Sequence, residues 1–138
     1  VNVLIGVGVY IVYGWLYENF RIATIELNWF TFLILFTGID FIFYWVHRWG
    51  HEINLFWAIH SPHHSSEEMN LIIALRTGVT QRLLYFMFFW VMTIIGFHPT
   101  DIYLIVGIHV FTGFFYHTEF VRKLWQPVEY IFVTPSHH

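Results

Sequence analysis

The chain is laid out as long apolar stretches separated by short polar breaks. Val1–Tyr17 carries no charged side chain, Leu27–Val46 carries only Asp40, and Leu83–Phe97 and Ile102–Tyr116 carry none. Crossing the hydrocarbon layer takes about 20 mostly apolar residues in a helix. The pattern therefore predicts four membrane helices. The last two stretches are short, and the neutral flank Val79-Thr80-Gln81 can lengthen the first of them. Strands are excluded because no sustained alternation of apolar and polar positions occurs. His98-Pro99-Thr100-Asp101 predicts a tight helical hairpin turn. Pro99 interrupts the backbone ladder there, and Thr100 or Asp101 is suited to cap the next helix. Residues 47–82 form the longest polar stretch and hold five of the ten histidines. No Gly/Ser linker or internal repeat divides the chain. Residues 1–138 are expected to be one membrane domain, truncated at both ends.

Composition agrees with the pattern. Hydrophobic residues make up 57% of the chain and charged residues 11%, against roughly 25% charged in a soluble domain. So few charges do not cover a water-exposed globule. Disorder is excluded by the same apolar content. With six Lys+Arg and a net charge of −3, the chain lacks the cationic surface that phosphate binding needs, so no nucleic-acid partner is expected. The absence of cysteine removes disulfides, thiolate zinc sites and iron–sulfur clusters. The N-terminal stretch has neither the basic region nor the small-residue cleavage site of a signal peptide. Through four alternating helices, Arg48, Arg76, Arg82, Arg122 and Lys123 fall on one side and Arg21 alone on the other. Positive charge marks the cytoplasmic side, so residues 47–82 and the C-terminal segment are expected to face the cytoplasm.

The histidines concentrate on that side. His47 and His51 stand four apart at the end of the second apolar stretch, on one helix face and one turn apart. Two imidazoles so placed can bind one metal ion. Asp40 and Tyr44 continue that face inward. A carboxylate within the membrane is costly and needs a partner. Two roles are open to Asp40: accepting a hydrogen bond from the second nitrogen of a ligand histidine, or a polar contact between helices. His60-Ser61-Pro62-His63-His64 follows. Pro62 suits the first turn of a new helix with Ser61 as its cap, which puts His60 beyond a break and free to converge from another direction. His63 and His64 point about 100° apart on a helix. The apolar segment Ile53–Ile59 between the two motifs is expected to lie at the interface. His117 ends the fourth apolar stretch on the same side, and His137 and His138 end the chain there. His109 lies deeper, where packing or substrate lining fits better than ligation.

Imidazole suits iron, copper, zinc and nickel. His47, His51, His60, His63, His64, His117, His137 and His138 are too many for one ion, so two metals are expected. The Glu-x-x-His pairs of soluble di-iron bundles are missing, because no acidic residue has a histidine three positions later. His51-Glu52 begins a zincin-like string that fails at Leu55. A histidine-lined metal pair at the edge of lipid suits O2 activation. The C–H bonds of a lipid chain offer no handle for acid–base attack, and oxidising them requires a redox metal shielded from water. A histidine-rich membrane protein that only binds or transports metal is the alternative; it should thread its histidines along several spans.

At these motifs the sequence resembles the fatty acid hydroxylase/sterol desaturase superfamily of integral-membrane oxygenases. The matching stretches are DFIFYWVHRWGHE (residues 40–52), HSPHHSS (residues 60–66) and the terminal TPSHH. EEMNLIIALR (residues 67–76) and His117-Thr118-Glu119 resemble its alkylglycerol monooxygenase-like branch most closely. The resemblance implies an all-α membrane bundle with a cytosolic histidine-rich site, in the endoplasmic reticulum or a bacterial inner membrane. It implies two iron ions and O2-dependent hydroxylation or desaturation of an ether lipid, sterol or fatty acyl chain. His47 and His51 match its first histidine box, and His60, His63 and His64 its second. His138, with His137 beside it, opens the last, whose final histidines do not occur here. Glu52, Asn70 and Arg76 match polar positions of the family, with catalytic or headgroup-contact roles. The electron donor implied is tetrahydrobiopterin for the closest branch and a cytochrome b5-type protein for others.

Overall fold

The computed structural model describes residues 2–64 and 79–116. It is all-helical: α1 (Asn2–Phe20), α2 (Trp29–Glu52), α3 (Asn54–His64), α4 (Val79–Ile95) and α5 (Pro99–Tyr116). Among the described residues the only β pairing is an isolated parallel bridge between Ile25 and Phe97. Two helical segments, Val3–Phe20 and Trp29–Glu52, are long and apolar enough to cross a membrane, while Thr80–Ile95 and Pro99–Thr112 are shorter apolar helices. The 17 residues of α4 rise about 26 Å, a little under a hydrocarbon layer of about 30 Å.

Helix α4 is central, packing against α1, α2, α3 and α5, while α2 also packs on α3 and α5. The core is built from one stripe per helix. Leu35, Ile39 and Val46 of α2 meet Leu84, Tyr85 and Phe89 of α4 and Ile102, Ile105 and Val106 of α5. The spacings of three, four and seven residues are those of a single helix face. The surface turned away from this core is also apolar. Val3, Leu4, Trp29, Phe30, Phe41 and Phe111 are all well exposed. Apolar exposure of that extent fits hydrocarbon as the surrounding solvent. Two tyrosine hydroxyls in the bundle find backbone partners, as buried polar groups need to. The Tyr13 hydroxyl donates to the Phe86 carbonyl, and Tyr103 donates to the Gly6 carbonyl at 2.8 Å.

Three local features stand out, the last two of them against expectation. First, the second helix continues past Val46 to Glu52, so His47 and His51 lie within it, as their spacing predicted. Second, Pro62 starts no new helix. It sits inside α3, where it forfeits the backbone bond to the preceding turn, so His60 and Pro62 share one continuous helix. The break falls instead at Ile53, a single extended residue (φ −108°, ψ 120°) between α2 and α3. Its N–H donates to the Trp49 carbonyl and its carbonyl accepts from Trp57 N–H. Third, helix α5 begins at Pro99, with neither Thr100 nor Asp101 as its cap. The His98 ring does that work: its Nδ1 accepts from the Thr100 N–H at 3.3 Å, and its carbonyl accepts from Asp101 and Ile102. Proline at the first helical position forfeits a donor that has no intrahelical partner anyway.

Candidate metal centre

Two consecutive turns of α2 present His47 and His51 on one face, and their Nε2 atoms lie 3.3 Å apart. The hinge at Ile53 turns α3 back against α2 and brings in His60. One nitrogen from each of His47, His51 and His60 falls within 4.8 Å of the other two. The three rings nearly touch, with centroid separations of 4.9 Å for His47–His51, 4.7 Å for His47–His60 and 4.9 Å for His51–His60.

Gly50 makes this approach possible. A Cβ placed on it would meet Cγ and Cδ2 of His60 at 3.3 Å each. His60 is 2% exposed, and Gln81, packed against it from α4, is 3% exposed. The Gln81 amide lies 3.0 Å from His60 Nδ1. One helical turn further along α4, the Tyr85 hydroxyl lies 3.4 Å from His47 Nδ1. Trp57 flanks His51, with ring centroids 5.6 Å apart.

The donor set fits a first-row transition metal such as iron, copper, zinc or nickel. Imidazole nitrogens bind such ions at about 2.0–2.1 Å, so two nitrogens on one ion stand roughly 3–4 Å apart. His47 and His51 already meet that spacing. No carboxylate joins the cluster among the described residues, which disfavours the hard cations that prefer oxygen.

The remaining expected residues fall in three groups. The Glu52 carboxylate is turned to the neighbouring face, where Arg48 Nε holds it at 2.8 Å; Arg48 also reaches the Tyr44 hydroxyl at 3.2 Å. Asp40 lies beside His109, with Oδ1 3.7 Å from Nδ1. A hydrogen bond from a ligand histidine to Asp40 is not among the described contacts; the group at His47 Nδ1 is Tyr85. His109 also donates through Nε2 to the Phe36 carbonyl at 3.3 Å and stacks on the Phe36 ring at 4.3 Å. His63 and His64 belong to the last turn of α3, and their side chains lie outside the described residues. Asn70, Arg76, His117, His137 and His138 lie outside them altogether.

Sequence reasoning missed Gly50, Gln81 and Tyr85. The only signal was two hydrogen-bonding side chains, four residues apart, opening the apolar helix after the histidine motifs.

A profile of fatty acid hydroxylases matches residues 32–138, a stretch that includes all three clustered histidines. This chain belongs to the fatty acid hydroxylase family. Among individual proteins it is similar to several alkylglycerol monooxygenases. The alkylglycerol monooxygenase of Xenopus tropicalis is 40% identical over 130 residues, covering 91% of this chain and 28% of that protein. The human protein of the same name is 38% identical over 129 residues, with coverages of 91% and 28%. The Caenorhabditis elegans one is 33% identical over 129 residues, with coverages of 88% and 24%. The chain thus spans about a quarter of the length of the curated relatives it matches. No solved structure matches it.

Proposed function

We propose that this chain carries the metal centre of a membrane-bound, O2-dependent di-iron monooxygenase acting on an alkylglycerol-type ether lipid. The observation that carries the reading is the convergence of His47, His51 and His60 at one end of an apolar helical bundle, within the stretch matched by the fatty acid hydroxylase family. The relatives' names support the ether-lipid substrate.

These three histidines hold iron, and His63, His64, His117, His137 and His138 supply ligands for the second ion of the pair. Bound iron supplies the redox chemistry: one oxygen atom of O2 enters a C–H bond and the other leaves as water, with two electrons and two protons from an external donor. Tetrahydrobiopterin is the donor that the alkylglycerol monooxygenase branch implies, and a cytochrome b5-type protein serves other branches. The chain's own residues bind, orient and shield. Trp57 packs against His51, and His60 is the most deeply buried of the three histidines. Glu52, Asn70 and Arg76 contact the polar end of the lipid at the membrane surface. Asp40 and His109 offer a polar pair along the lipid's path between α2 and α5. Four helices spanning the bilayer put the site on the cytoplasmic face of the endoplasmic reticulum or a bacterial inner membrane, in keeping with the placement of the basic residues.

Iron counting and oxygen uptake on the purified intact protein test this reading. The expected result is two irons per chain and O2 consumption that depends on added alkylglycerol. One tightly held divalent ion, with no oxygen consumed, would overturn it in favour of metal binding without oxygenase activity.

A further inference from the structure

Every histidine that ligates through Nε2 must carry its ring proton on Nδ1, and something must accept that proton's hydrogen bond. In this chain both partners come from one stripe of α4. Gln81 and Tyr85 are four residues apart, so they share a helix face. They contact Nδ1 of His60 at 3.0 Å and Nδ1 of His47 at 3.4 Å. Those two histidines come from different helices, α3 and α2.

The Gln81 amide can face His60 in two ways. With its NH2 group toward the ring, Nε2 donates to His60 Nδ1, which moves the ring proton onto the His60 Nε2 that should bind metal. Either orientation leaves one amide atom, Oε1 or Nε2, buried without a partner, so the choice between them is set by the histidine nitrogen that must ligate. Turning the amide by 180° places Oε1 against His60 Nδ1–H and frees Nε2 for the ion. The Gln81 side chain also neighbours the Tyr85 hydroxyl, so the same Oε1 can accept from Tyr85 while the Tyr85 oxygen accepts from His47 Nδ1–H. Tyr85 is fixed for this by stacking on Phe43, with ring centroids 4.4 Å apart.

We propose that Gln81 and Tyr85 are positioning residues that hold His60 and His47 as Nδ1–H tautomers, aiming both Nε2 atoms at one metal ion. The proposal rests on the reading of His47, His51 and His60 as an iron site. One α4 face thereby sets the ligating nitrogen on two other helices. It also couples the packing of α4 to metal affinity.

Ferrous iron binding by the intact protein, measured by competition with a chelator, tests the proposal alongside thermal unfolding of the metal-free protein. Gln81→Leu removes the acceptor at similar volume and should weaken iron binding about ten- to hundredfold. Gln81→Glu keeps an acceptor oxygen and should bind within a few-fold of wild type. A merely structural glutamine would not separate these two variants, and both metal-free proteins should unfold near the wild-type temperature. Tyr85→Phe keeps the stacking ring and should weaken binding several-fold; it carries the test if Gln81→Leu does not fold. Wild-type affinity in Gln81→Leu, or in Tyr85→Phe where that variant carries the test, overturns the proposal. So does an equal loss in Gln81→Glu and Gln81→Leu. If wild type itself binds no iron, the iron-site reading fails and the proposal with it; if only the variants behave as wild type, the proposal alone fails.

Discussion

The two ends of the bundle are built by different means. At the end holding the α1–α2 and α4–α5 connections, backbone atoms do most of the joining. Ile22 N–H donates to the Ile94 carbonyl at 2.8 Å, and Ile25 N–H to the Gly96 carbonyl at 3.0 Å. Gly96 has φ 129°, and a Cβ there would run into the Ala23 carbonyl. At the histidine end, side chains join: imidazoles from α2 and α3 converge, and an amide and a phenol from α4 brace them. Backbone hydrogen bonds lock a connection whatever the side chains are, provided the chain can bend and approach. Side-chain contacts specify a chemical environment. The first end is therefore where a substitution damages folding, and the second is where it damages metal binding.

Substitutions at each end separate the two roles. Gly96→Ala should have the largest effect, losing about 2–4 kcal/mol of stability, because a side chain at positive φ is strained and here also overpacked. Thermal unfolding measures this, and iron bound per folded molecule should not change; a large loss of iron in the folded fraction would show that the two ends are coupled. His60→Ala should do the reverse, lowering iron affinity by more than about tenfold while the protein still inserts and folds. Chelator competition and a protease-protection assay read the two effects. Asn28→Ala should cost about 1 kcal/mol. It removes an oxygen that accepts from Phe30 and Thr31 N–H at 2.9 and 3.1 Å, and the loss should appear in unfolding with no change in iron. Gly50→Ala should be nearly neutral for stability. A gain of about 1 kcal/mol from helix propensity offsets an overpacking cost at the low end of the usual range, about 1 kcal/mol, because the contact at 3.3 Å is only slightly tight. The Cβ pushes on the His60 ring, so iron affinity should still fall by a few-fold. Unchanged affinity would show that α3 yields without moving the ring.

These effects were unequally legible. The pairing of His47 with His51 followed from helical spacing alone, and the structure keeps both on α2. The placement of His60 depended on reading Pro62 as a helix start. That reading failed because the helix starts earlier, at Asn54, and runs through Pro62 to His64. His98 as the cap of α5 was hidden for a related reason: histidine is not a standard capping residue, yet its Nδ1 sits within reach of the Thr100 N–H. Asp40 was recognisable as the one charge inside an apolar stretch, but its neighbour His109 is on α5, and no local spacing connects them.

Apolar run lengths, the i/i+4 imidazoles and the clustering of histidines in one polar stretch determine the helices and the kind of chemistry before any folding is considered. Periodicity and donor type are properties of neighbouring residues, and a linear sequence displays them. Which face of α4 braces the site, how close α3 comes over Gly50, and what lies beside Asp40 were decided only when the helices packed. Each depends on interatomic distances between helices, and nothing in the local order of residues encodes those distances.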